Sequence, residues 1–120
     1  MKFSLDNING QLVGIAKLEG RLDARNSKLF QKTFLEWLDT TPLLVFDCTL
    51  LEFIDTSGLG AIVGCLRKVL EKKGDLKLAG LNDKVNMVFE ITQAKRLFSI
   101  FTNQGDAVLS FSAEPNPGTT

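Results

Sequence analysis

The sequence predicts a single α/β domain, a mixed β-sheet of about five strands with about four helices packed against it. Three observations carry this expectation. The 120 residues suit one domain and are too few for two ordinary ones. Short apolar runs that read as strands alternate with segments whose apolar residues recur at helical spacing. Turn and cap residues, among them Asn9-Gly10, Asp23, Pro42 and Gly74, fall between these segments. Strands separated by helices imply right-handed crossovers. The domain is expected to span residues 1–112, with 113–120 as a flexible C-terminal tail of terminus-like composition.

Residues 3–8 and 11–18 place apolar side chains on either side of Asn9-Gly10, a dipeptide that favours the tight turn of a β-hairpin. Gly20 and Asp23 then mark a change to helical period. Leu22, Phe30, Phe34, Trp37 and Leu38 share one face of a helix expected over 24–38, with Asp23 as its N-cap. Pro42 disfavours a helical conformation at Thr41 and ends that helix. Leu43-Leu44-Val45-Phe46, apolar throughout, predicts a central strand buried on both faces, followed by a loop from Asp47 to Thr56. A second helix is expected over 57–73, closed by Gly74, and a strand from Asp75 to Ala79. A third helix over 82–92 starts near Asn82 or Asp83 and uses Val85, Val88, Phe89 and Thr92. A last strand over 98–101 and a short helix over 106–111 complete the pattern.

Composition narrows the function. Hydrophobic residues make up 44% and charged residues 23% of the chain, as in ordinary globular proteins. Fourteen basic residues balance fourteen acidic ones, so no bulk positive field exists to attract nucleic acid or anionic lipid, and no nucleic-acid partner is expected. Asp6 interrupts the N-terminal segment before a secretory leader's apolar core can form, and no later run approaches the length of a membrane span. A cytoplasmic protein without membrane insertion is expected, with Cys48 and Cys65 as reduced thiols. The chain has no histidine. It thus lacks the usual general base, the commonest metal ligand and the middle member of a serine triad, so no catalytic residues, metal or cofactor are expected. Its glycines lack the Gly-Lys-Ser/Thr ending of a nucleotide-binding loop. Asp23, Asp47 and Asp55 sit at turns and helix starts, where aspartate is expected to cap and not to hold a hard cation.

The informative stretch is Phe53-Ile54-Asp55-Thr56-Ser57-Gly58-Leu59-Gly60, which sets two hydroxyls where a loop enters a helix. First-turn N–H groups there are unpaired and carry the positive end of the helix dipole, and either Thr56 or Ser57 suits the N-cap. On the helix that follows, Leu59, Ile62, Val63, Leu66 and Leu70 are expected to form the core stripe. Gly60, Ala61, Gly64 and Cys65 point outward as a smooth, uncharged surface with Ser57 at its rim. Such a run of small residues admits close approach by another chain, or by neighbouring loops of the same domain.

The segment from Leu43 to Ala79 resembles a STAS domain of the anti-sigma-factor antagonist family, and the likeness extends over nearly the whole chain. The matching features are Val45-Phe46-Asp47, Ile54-Asp55-Thr56-Ser57-Gly58-Leu59-Gly60 and Gly20-Arg21-Leu22-Asp23, with Thr56 in place of the commoner first serine. The resemblance implies that Ser57 is the phosphoacceptor, with Thr56 a less favoured alternative. It also implies that Asp23 and Asp55 contribute to recognition by a partner kinase, in a surface that includes Gly58, Gly60, Ala61 and Gly64. The implied function is a partner switch without catalytic activity of its own. Its unphosphorylated form binds an anti-sigma factor/serine-protein kinase and so frees a sigma factor, and a serine phosphatase resets it. The alternative from another functional class is a constitutive STAS accessory subunit of a transport assembly, docked without phosphorylation.

Overall fold

Asn9 and Gly10 take φ of 53° and 83°, the left-handed values that both central positions of a type I′ hairpin turn require. A computed structural model describes residues 1–113 of the chain. Around that turn, β1 (Lys2–Ile8) and β2 (Gln11–Leu22) pair antiparallel. β3 (Leu43–Ile54), β4 (Asp75–Ala79) and β5 (Ile100–Phe101) then add in parallel, so that the order of strands across the sheet is their order in the chain. The crossovers are α1 (Ser27–Thr40), α2 (Thr56–Glu71) and α3 (Asp83–Ile91), the last followed by a 3-10 helix (Ala94–Leu97). When each strand is added on the same side as the last, right-handed crossovers all fall on one face of the sheet. α4 (Gln104–Ala113) follows β5 and covers the opposite face, touching β1, β3, β4 and β5.

The larger core lies between the sheet and α1, α2 and α3. Phe30, Phe34 and Trp37 of α1, Ile62 and Leu66 of α2, and Phe89 of α3 are buried against Leu18, Leu44, Phe46 and Leu78. Phe3 stacks on Trp37 with centroids 5.5 Å apart, and Phe30 meets Phe46 edge-on at 5.6 Å, both arrangements that the aromatic quadrupole favours. On the other face Ala107, Val108 and Phe111 cover Val13, Ile15, Val45 and Ala79. Lys77, 2% exposed, belongs to this second layer. Its Nζ donates to Ser110 Oγ at 2.7 Å and lies 4.2 Å from the centre of the Phe111 ring, so a hydroxyl dipole and a π face meet its charge.

The strands and helices fall where the sequence predicts them, with boundaries that move for identifiable reasons. β3 continues to Ile54, through the loop predicted from Asp47 to Thr56. Asp47 Oδ1 accepts from the Thr49 N–H at 3.0 Å and from its hydroxyl at 2.6 Å, a local turn at a register shift opposite Lys17 and Glu19, after which pairing with β2 resumes. Gly20, at φ 70°, likewise borders a second shift within β2 and does not end the strand. α1 starts at Ser27, with Asn26 and not Asp23 as its N-cap residue, because residues 23–26 form a separate turn. At its other end Thr41 is extended, as the following proline demands. The 3-10 helix, absent from the sequence expectation, begins after Gln93 turns into the left-handed region at φ 61°. Of the predicted tail, Ala113 is the last residue of α4, and 114–120 lie outside the described residues.

Cys48 and Cys65 are buried, and burial pushes both thiols up to about 12. Neither is a thiolate near neutral pH, so iodoacetamide at pH 8 should modify the native protein on the order of a hundredfold more slowly than urea-unfolded protein. Labelling of either cysteine at the unfolded rate would contradict the closed core.

Candidate functional site

Leu22 pairs with Ile54, so the last residues of β2 and β3 lie side by side and release two loops at the same place. One leads into α1 and the other directly into α2. Past the Asp47–Ala79 pair, β4 no longer flanks β3, and the remaining strand is paired with β2 alone. Asn82 secures the opposite side, donating from Nδ2 to the Leu51 carbonyl at 2.9 Å while its Oδ1 caps α3 through the Val85 N–H at 2.8 Å.

Asp55 joins the two loops. Its Oδ1 accepts from the Gly58 N–H at 2.9 Å, making Asp55 the N-cap of α2, and its Oδ2 accepts from the Ala24 N–H at 3.2 Å. This corrects the expectation that Thr56 or Ser57 caps the helix. Both are helical residues, at the first and second positions of α2, and both are exposed. Gly58 is buried, and a Cβ there would collide with the carbonyl oxygen of Leu22. It therefore lets the helix seat against β2 and offers no side chain for a partner to touch.

Asp23 sits 7% exposed in the turn before α1. Its Oδ1 accepts from the Arg25 N–H at 3.0 Å, and its Oδ2 lies 3.3 Å from Arg21 Nε and 3.6 Å from an Arg25 guanidinium nitrogen. The Arg25 N–H first, then the Arg21 and Arg25 guanidinium groups, hold its carboxyl below the ordinary value of 3.8, against the opposing effect of burial. Asn26 closes the turn, accepting from the Asp23 N–H at 2.9 Å and donating to the Arg21 carbonyl at 2.7 Å. Arg21 also lies over the ring of Phe53 at 4.1 Å. Asp23, Asp47 and Asp55 are each engaged in local hydrogen bonds, and among the described residues no three potential metal-ligating side chains cluster.

The outer face of α2 differs from the expected one. Ala61 and Cys65, expected to point outward, are 2% and 1% exposed, whereas Leu70, expected in the core, is 54% exposed. Val69 takes the buried position in its place. α1 packs along α2, and small side chains at Ala61 and Cys65 suit that close approach. Gly64 is half-buried, with Gln31 Nε2 of α1 3.6 Å from where its Cβ would stand. Gly60 alone of the four is exposed with open space around that position. The surface available to another protein is thus the crest Thr56, Gly60, Gly64 and Arg67, with Ser57 on the side towards α1.

The family model of the STAS domain matches residues 6–107. The chain belongs to the STAS domain family. Among solved structures, this STAS domain is similar to a Thermotoga maritima protein provisionally named an anti-sigma factor antagonist, at 26% identity and TM-score 0.78 over 90% of this chain and 92% of that one. It is also similar to the anti-sigma factor antagonist SpoIIAA in its unphosphorylated form, at 18% identity and TM-score 0.75 over 96% and 100% of the two chains. A third likeness is to the murine Solute Carrier 26 family member A9 anion transporter, at 21% identity and TM-score 0.72, covering 85% of this chain and 18% of that one. No curated protein matches the sequence. No helix among the described residues is long and apolar enough to cross a membrane.

Removing the Asp55 carboxylate deletes a cap and a loop-to-loop bond, so Asp55→Ala should cost about 1–3 kcal/mol in urea unfolding. Asp55→Asn keeps a cap acceptor and should lose only the Ala24 bond. Equal losses in the two variants would deny Asp55 its bridging role. The stabilisation from Asp23, whose folded pKa is lowered, is present above the unfolded value and disappears as pH falls through the lowered one. The stability gap between wild type and Asp23→Asn should therefore shrink below roughly pH 4. A gap unchanged between pH 7 and pH 2 would contradict the assignment.

Proposed function

We propose that this STAS domain is a phosphorylation-controlled interaction switch of the anti-sigma-factor antagonist kind. Its unphosphorylated form binds an anti-sigma factor/serine-protein kinase in the cytoplasm and so regulates transcription or a related output. Ser57 is the phosphoacceptor, and a serine phosphatase restores the binding form. The observation that carries this reading is the placement of Ser57, exposed at the second position of α2 and beside a surface that another chain can reach. Support also comes from similarity over most of the chain to anti-sigma factor antagonists, one of which, SpoIIAA, has been solved in both unphosphorylated and phosphorylated forms.

The physics of the position suits a switch. A phosphoryl group adds about −1.5 to −2 charge, and a helix N-terminus tolerates an anion, so the fold survives the modification. A partner docked on the crest of α2 instead meets a dianion next to the Asp55 carboxylate, with added desolvation cost and, for acidic contacts, repulsion. Asp23 and Asp55 act on recognition by shaping the two loops, since their carboxylate oxygens are engaged within the domain. The protein performs no chemistry itself. Support comes from the absence of histidine, the usual base for activating a hydroxyl, and from the Asp55 carboxylate being taken up by the Gly58 and Ala24 N–H groups.

A constitutive accessory role in a transport assembly is the second reading, favoured by the similarity to a segment of an anion transporter. Incubation with the partner serine kinase and ATP separates the two. The switch requires label at Ser57 by mass spectrometry, none in Ser57→Ala, and weaker kinase binding by phosphorylated than by unphosphorylated wild type. Equal affinities, or label confined to Thr56, would reject the assignment of Ser57. Gly60→Arg, placed in open space, should reduce binding at least about tenfold with no loss of melting temperature, because arginine is the better helix former by roughly 0.7 kcal/mol.

A further inference from the structure

A groove of about 730 Å³ runs between α2 and the segment 92–97. Its floor is apolar, made by Leu59 and Val63 of α2 and by Ala94 and Leu97 of the 3-10 helix. Leu97 remains 55% exposed. Arg67 and Arg96 stand one on each wall, and among the described residues no carboxylate lines the groove. Among the described residues neither arginine enters an ion pair, while the nearby Glu90 is taken by Lys95 at 3.2 Å. The groove thus presents uncovered apolar surface flanked by cationic charge on both sides.

We infer that this groove receives an acidic amphipathic helix of a protein partner. The floor selects an apolar stripe, because burial of apolar surface is the dominant favourable term in association. The two arginines select carboxylates flanking that stripe on both sides. One wall is α2 and the other is Thr92, Gln93 and the 3-10 helix, neither of them a strand edge, so an extended peptide would find no ladder to join. A helix satisfies its own backbone, and the open space at Gly60 lets it lie close against α2. The inference rests on the proposed role of the α2 crest as a docking face and names the part of the partner that meets it. Thr56 lines the same groove, next to Ser57. Ser57 itself does not line the groove and stands across the crest towards α1, so a phosphoryl group there acts on the acidic helix through added negative charge at the groove's rim and not by direct contact.

The test uses two synthetic 18-residue amphipathic helices of identical leucine pattern, one with glutamate and one with lysine on the polar flanks, titrated into ¹⁵N-labelled protein. The glutamate peptide is expected to shift the Gly60, Gly64, Ala94 and Leu97 amides, to bind at least about tenfold tighter than the lysine peptide, and to weaken as salt is raised. Arg67→Glu combined with Arg96→Glu should invert the preference, and Leu97→Ser should weaken both peptides, with melting temperatures unchanged. Equal affinity for the two peptides, shifts on another face, or a preference that survives charge reversal overturns the inference. Kinase labelling of wild-type Ser57, measured separately, decides the switch reading. A groove that binds the glutamate peptide in a protein whose Ser57 is never labelled leaves this inference standing and removes that one.

Discussion

The pairing of Leu22 with Ile54 sets the position of everything at the candidate site. It delivers the turn before α1 and the start of α2 to one point, where the Leu22 carbonyl meets Gly58 and the Asp55 carboxylate reaches both Gly58 and Ala24. A one-residue slip in this ladder would turn Leu22 and Ile54 out of the core and carry Asp55 away from Ala24. The exposed hydroxyl of Ser57 is held in place by buried pairing and by a carboxylate, while contributing little to either. A side chain placed this way can be modified at small cost to the fold.

The sequence was most legible where a local chemical rule had no competitor. Asn9-Gly10 specified its turn, Asn82-Asp83 the start of its helix, and the unbroken Leu43–Phe46 run its place between two helical layers. Asp47 and Thr49 misled because polar residues in a strand read as a loop until their side chains are seen bonding each other. At α2 two capping expectations stood side by side, the hydroxyls of Thr56 and Ser57 and the carboxylate of Asp55, and the carboxylate holds the position. Aspartate directly before Thr-Ser-Gly was the available signal, since aspartate ranks among the best N-caps. Ala61 and Cys65 show a deeper limit. Small side chains mark a close approach, but the pattern does not say whether the approaching helix belongs to another protein or, as here, is α1 of the same chain.

One architecture matches the whole of the SpoIIAA chain and, in the murine transporter, a segment that is 18% of that chain. The sheet, its three crossovers and the single opposing helix do not distinguish those uses. What differs must lie in exposed side chains, because the fold constrains those positions least.

The order of strands has a consequence for how the chain reaches its structure. Because each new strand pairs with the one made just before it, every helix-and-strand unit finds its neighbour already in place as synthesis proceeds. α4 breaks this progression. It touches β1 and β3 as well as β5, so its docking closes the longest loops among the described residues and waits for the whole sheet. Pulse-labelled hydrogen exchange would register that dependence as late protection of α4, after the α1–α2 layer has formed.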